Sequence, residues 1–378
     1  MAKSRSIFED VGAQGPTPPA AVRPAAPTYP RRAIAVWLSI LFALLVAMIA
    51  VGGLTRLTDS GLSITEWNPV SGALPPTDAA AWQAEFDKYK ASPQYAELNE
   101  GMTIEAFKSI YWWEWGHRQL GRAIGAVWAA GFLWFLARRQ IPPGWTPRLL
   151  GLGVLGGIQG AIGWWMVSSG LQTGMWSVAS YRLAVHLGIA FVILGLIAWY
   201  VLRLGRPEAE LLQARRQRNE GLMRWGTVLV ALVFVQVVLG ALVAGIDAGR
   251  NYTDWPLMGG ELFPSTAFNL TPAWSNFLDN PGLVQFNHRL VAYLLVIVGL
   301  LAFLRSRSSS MVAMRGAFAA MLAMLAVQVA LGIATVMHAA PLSLSILHQL
   351  GAVALFTLVI RARFAALYPR AQKIARGR

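Results

Sequence analysis

The sequence predicts an all-α membrane protein whose eight transmembrane helices form two pseudo-symmetric four-helix bundles. Three observations lead there. Hydrophobic residues make up 56% of the 378-residue chain and charged residues only 13%, about half the charged share of a soluble domain. Eight apolar runs reach the length of about 20 residues that a helix needs to cross a bilayer core. Features of the first four runs also recur in the last four. Cysteine is absent, which excludes disulfides, thiolate metal ligands and iron–sulfur clusters.

Residues 1–32 are rich in Pro, Ala and Arg and lack an apolar run, so they read as a disordered cytoplasmic tail rather than a cleaved signal. The apolar runs lie near 33–54, 110–137, 149–168, 179–204, 222–247, 282–304, 311–337 and 341–367. Residues 205–221 form a cytoplasmic linker between the halves 33–204 and 222–367, and 368–378 a second tail. Two long outer loops, about 55–109 and 248–281, follow spans 1 and 5. Within the first, Trp82, Phe86 and Tyr89 share one helical face, which suits a helix at the membrane interface. Trp112, Trp113, Trp115, Trp164 and Trp165 read as interface anchors and packing.

The net charge of +14 would suggest nucleic acid on a soluble chain. Here 23 of the 32 Lys and Arg fall in the tails and connections of one side of the membrane. The positive-inside rule therefore puts both termini in the cytoplasm, with no basic surface left for nucleic acid. Four basic residues, Arg118, Arg122, Arg182 and Arg289, sit within spans.

The repeat is written in several places. Thr65-Glu66-Trp67-Asn68-Pro69 in the first long loop matches Thr253-Asp254-Trp255-Pro256 in the second. Spans 2 and 6 share a His-Arg pair, His117-Arg118 and His288-Arg289. Spans 4 and 8 share His186-Leu187-Gly188 and His348-Gln349-Leu350-Gly351, and spans 3, 5 and 7 carry Gln-x-x-x-Gly at Gln159, Gln236 and Gln328. Each half has an even number of spans, so both halves lie the same way up, related by an axis along the membrane normal.

Four of the five histidines occupy these repeated positions, six to eight residues from the outer ends of their expected spans, roughly 9–12 Å deep. Two imidazoles at one level in a four-helix bundle can supply both axial ligands of a haem. The alternative is a helix–helix hydrogen bond from each histidine. Small residues one turn below each, Gly121, Ala190, Ala292 and Ala352, would clear room for a porphyrin. His338 has no counterpart in the first half and reads as a surface or lid residue. Glu114 shares the face of His117, whereas Gln285 stands in that place before His288. A carboxylate inside a bundle is a functional candidate; its structural alternative is a pair with Arg118 or Arg122. Arg118, Arg182 and Arg289 lie near the histidine layer and can clamp propionates, with snorkelling to the interface as the alternative for Arg182.

Glu114-Trp115-Gly116-His117-Arg118, Asn287-His288-Arg289, the elements at His186 and His348, and Gly52-Gly53-Leu54-Thr55-Arg56-Leu57-Thr58 together resemble the haem A synthase family over residues 33–367. The absence of cysteine resembles its cysteine-free alphaproteobacterial and mitochondrial branch. The resemblance implies oxidation of a ring methyl of haem O to a formyl group, giving haem A for cytochrome oxidase. It implies Glu114 as the catalytic acid, His117 and His186 as ligands of the substrate haem, and His288 and His348 as ligands of a haem b cofactor. Membrane lipid surrounds such a chain, and haem O synthase and an electron donor are its candidate partners, with an oligomer left open. Two other classes stay in view. A b-type diheme quinol or electron-transfer subunit explains the histidines but not the Glu114/Gln285 difference. A proton-coupled transporter predicts helices broken near the midplane, and no span has a Pro in its middle.

Overall fold

The computed structural model describes residues 29–370. Most of both expected tails lies outside the described residues, and Arg31 and Arg32 already belong to the first helix. Among the described residues, eight helices are long and apolar enough to cross a membrane: Arg31–Leu57, Ile104–Ala137, Thr146–Gly170, Ser180–Leu204, Glu220–Gly245, Pro281–Arg307, Val312–Met337 and Leu342–Leu367, here spans 1 to 8. The chain is a multi-pass membrane protein. Its helix–helix contacts close two rings of four: span 1 packs on 2 and 4, and span 3 on 2 and 4, while spans 5 to 8 repeat the arrangement. Spans 4 with 5, 1 with 8, and 4 with 8 form the seam between the rings.

Apolar tails of lipid compete with helix–helix contacts, so close backbone approach matters at the seam. A side chain at Gly245 would lie 2.8 Å from the Ser180 Cα of span 4, and within the second ring one at Gly226 would lie 2.9 Å from the Arg363 Cα of span 8. Phe191 and Phe356 meet edge to face at 5.5 Å where spans 4 and 8 cross. Leu38, Leu149, Leu194, Leu229, Phe318 and Val359 are fully buried in one core running through both rings.

Polar clasps hold the ends. At the Arg-rich end, the linker forms a short helix, Glu208–Arg216. Arg31 donates to the carbonyls of Arg203 and Arg206, both at 3.0 Å, and Arg206 reaches Glu210 and the Tyr368 carbonyl. At the other end, which carries the two long loops, Arg56 bridges Asp59 at 3.1 Å and Asp247 at 2.8 Å. Both aspartates follow a spanning helix with left-handed backbone, φ 51° and 52°, a conformation Asp tolerates better than most residues.

Span 2 departs most from its expected bounds, starting at Ile104 where Thr103 accepts from the Ala106 N–H as a cap. The added turns carry Phe107, which together with Tyr111 meets the helix Ala79–Lys90. Phe107 stacks on Phe86 at 5.0 Å and on Tyr89 at 5.3 Å, and Trp82 meets Tyr111 at 5.0 Å. The apolar face expected to meet lipid is therefore spent largely on the protein's own helix.

Candidate functional site

Each of the four repeated histidines faces a glycine on the preceding span. A side chain at Gly52, Gly163, Gly240 or Gly332 would stand 3.2, 3.0, 3.1 or 3.2 Å from the ring of His117, His186, His288 or His348. All four glycines sit within the same kind of contact, so the even-numbered helix can bring its imidazole flush to the odd-numbered one. His117 and His186 stand on spans 2 and 4, and His288 and His348 on spans 6 and 8. Each such pair lies inside one ring of four helices.

Those donors suit haem. No group of three or more His, Asp or Glu among the described residues could hold a bare metal ion. Two imidazoles per ring would be enough to complete an iron whose remaining four ligands come with its macrocycle. The residues present fit such a group, with imidazoles cradled by glycine. Two of the small residues one turn beyond the histidines, Gly121 and Ala352, serve another neighbour as well. The Met48 methyl packs 3.4 Å from where a Cβ at Gly121 would stand. With its amide oriented to satisfy both ends, Gln328 accepts from the Ala352 N–H at 3.3 Å.

Glu114, only 3% exposed, gathers four donors. Its Oε2 accepts from the Ser63 hydroxyl at 2.7 Å and the Ile64 N–H at 2.8 Å. Its Oε1 accepts from Arg118 Nε at 3.1 Å and Nη2 at 2.7 Å. The carboxylate thus ties the start of the first long loop to the helix that carries His117. In the second ring, Gln285 donates to the Tyr252 carbonyl at 3.1 Å and accepts from Arg289 at 3.3 Å. The tie is kept there without a charge.

The sequence match between the two halves extends to these contacts. Arg118 also donates to the Glu66 and Ile64 carbonyls, both at 2.8 Å, and Arg289 to the Leu257 and Tyr252 carbonyls. Arg182 donates to the Trp165 carbonyl at 2.7 Å and lies over the Trp165 ring. In the second loop, Asp254 accepts from the Gly259 and Gly260 N–H groups, and those bonds hold its carboxyl below the usual range. His338 lies apart from all of this, exposed at the end of span 7 with Nδ1 against the Ala334 carbonyl.

Residues 35–360 match the family described as cytochrome oxidase assembly protein. This chain belongs to that cytochrome oxidase assembly family. Among its curated relatives, a protein of Paracoccus denitrificans named heme A synthase is 60% identical over 97% of both chains. Heme A synthases of Dinoroseobacter shibae and of Ruegeria sp. are 59% and 58% identical, over 99% and 98% of this chain and 99% of theirs.

In this member of the cytochrome oxidase assembly family, the repeat made the histidines and the Glu114/Gln285 pair legible. Ser63 and the Ile64 N–H were not, because a hydrogen bond from a loop depends on how the loop returns to the helix. Beside them, span 2 and the first loop enclose a cleft of about 340 Å³, lined by Ile64, Asn68, Tyr111, Trp115, Arg118 and Arg122. Arg122 donates to the Asn68 and Pro69 carbonyls there, which fixes the loop along span 2.

Proposed function

We propose that this chain is a haem A synthase, oxidising a ring methyl of haem O to a formyl group. The observation that carries the reading is the Glu114 network, present in the first ring and replaced by neutral Gln285 in the second. An electron-transfer subunit with two equivalent haems gives no reason for that difference. The full-length likeness to heme A synthases supports it.

On this reading, His117 and His186 hold the substrate and His288 and His348 hold haem b. When bound, haem b supplies one-electron transfer. Run as two hydroxylations with dioxygen as the oxidant, each sending one oxygen atom to the substrate and the other to water, conversion of methyl to formyl draws four electrons from a donor and four protons in all, so the first ring needs a group that moves protons and the second does not. Glu114 is that group, with Ser63 Oγ as its hydroxyl neighbour. Successive oxidation gives an alcohol and then a geminal diol that loses water to the aldehyde. Arg118, Arg182 and Arg289 stand at the loop end of the sites; Arg182 and Arg289 keep N–H donors that their protein partners leave unused, and Arg118, committed to Glu114 and two carbonyls, keeps one. Propionates directed to that end would meet them. Haem O, with its farnesyl tail, comes laterally from the lipid, since its apolar surface is costly to bring through water. The Arg-rich end faces the cytoplasm, where haem O synthase and an electron donor are its expected partners.

Expression in a host that supplies haem O but makes no haem A, followed by extraction and mass spectrometry of the haems, tests the proposal. Haem A should appear with the intact chain. Its absence, with the protein present in the membrane and haem b bound, would overturn the reading.

A further inference from the structure

Three of the four histidines are held by a glutamine that the proposed function leaves unused. Gln159 Nε2 donates to the His186 carbonyl at 3.0 Å and lies 3.2 and 3.3 Å from the two ring nitrogens. Gln236 stands in the same relation to His288, at 3.0 Å from its carbonyl and 3.2 Å from both ring nitrogens. Gln328, in the orientation that satisfies both ends of its amide, donates to the His348 carbonyl at 3.1 Å and lies 3.3 Å from Nδ1. For Gln159 and Gln236, an atom equally far from both ring nitrogens sits over the imidazole face, out of line with either lone pair. Such an amide braces the ring while leaving a nitrogen free to bind iron. Gly351 provides the room this requires in span 8, since a side chain there would collide with Gln328.

Span 1 breaks the pattern. Gly52 takes the glycine place against His117, yet four residues earlier the chain has Met48. The Met48 methyl fills the space over Gly121, one turn beyond His117, as Gln328 does beyond His348. A thioether packs there adaptably but donates nothing. His117 has no side-chain hydrogen bond among the described residues.

We propose that His117 is the one releasable haem ligand of the four. With haem bound, His186 would keep hold of it, while the unbraced His117 would be free to swing away. In the second ring both ligands are braced, which suits a haem that stays. This rests on the reading of the four histidines as axial ligands and adds to it which bond gives way, and Met48, Gln159, Gln236 and Gln328 are positioning residues in it. Outer contacts of this kind change ligand binding by about 10–100-fold.

Carbon monoxide is the probe, because it binds reduced haem only where an axial ligand leaves. Purified protein carrying haem in both rings is reduced with dithionite and titrated with carbon monoxide, followed by its visible spectrum. The intact chain should bind it at the first-ring haem and not at haem b. Met48→Gln should weaken that binding about 10–100-fold, Met48→Leu should leave it unchanged, and Gln236→Met should make haem b reactive. Carbon monoxide binding that is indifferent to both Met48→Gln and Gln236→Met would overturn the proposal. If Met48→Gln fails to fold, Gln236→Met alone decides. Purified protein without any haem spectrum would instead overturn the reading of the histidines, so the two failures are distinct.

Discussion

At position 114 a carboxylate meets four donors, and at the matching position 285 an amide meets one donor and one acceptor. Glu114→Gln exchanges one oxygen for an NH₂ group that must face either Arg118 or the Ile64 N–H, a mismatch costing about 1–3 kcal/mol. Gln285 shows that an amide can still tie this kind of helix to its loop, so the variant should fold and keep haem b. Haem A formation should fall by about 10²–10⁴-fold, the usual share of a positioned acid or base. Comparing haem A with haem b in extracts of variant membranes measures both effects. Haem A made at the normal rate would remove Glu114 from the chemistry. Arg118→Ala is the harsher change, since it strips one partner from a buried ion pair, worth about 3–5 kcal/mol. The histidines and Glu114 were legible because a repeat marks them twice. The brace was half legible: Gln-x-x-x-Gly appears in the sequence, but its contact with the neighbouring imidazole depends on how two helices are rotated against each other.

Among the elements, span 1 does two things that its counterpart span 5 does not. It carries Met48 in place of a glutamine, and it receives Gln349 from span 8. The Gln349 amide donates to the Ile49 carbonyl at 2.7 Å, and a side chain at Gly53 would collide with that amide. Ala241 fills the place matching Gly53 in span 5, where span 4 offers Leu187 instead of a glutamine. Gly53→Ala therefore forces Gln349 from its carbonyl and loosens the seam, with overpacking of this type costing about 1–3 kcal/mol. The midpoint of thermal unfolding in detergent should fall. Gln349→Ala in the same chain should recover part of the loss, and no recovery would show that the clash lies elsewhere. Span lengths were read well from hydropathy. The extra turns of span 2 were not, because Ile104 to Ser109 is held as helix by a Thr103 cap and by packing on Phe86 and Tyr89, not by an apolar run.

Over the whole molecule, two rings of four helices share a seam through spans 1, 4, 5 and 8, and each ring carries its own pair of histidines. Separate enclosure predicts separable loss. His288→Ala or His348→Ala should abolish the haem b spectrum, while His117→Ala or His186→Ala should leave it in place and stop haem A formation. A reduced-minus-oxidised spectrum of each purified variant checks this, and loss of haem b from the His117 variant would show that the rings do not bind independently. The sequence by itself determined the eight spans, the basic end, the repeat and the four histidines with their one acidic neighbour, because hydropathy, charge and recurrence are properties of the chain read in order. Only the tertiary structure decided which glycine each imidazole leans on, that Glu114 is held by Ser63 and Ile64, and that three histidines are braced while His117 is not. Those contacts join residues from different helices and loops, and helix rotation and loop path, which set them, are fixed only when all eight spans pack together.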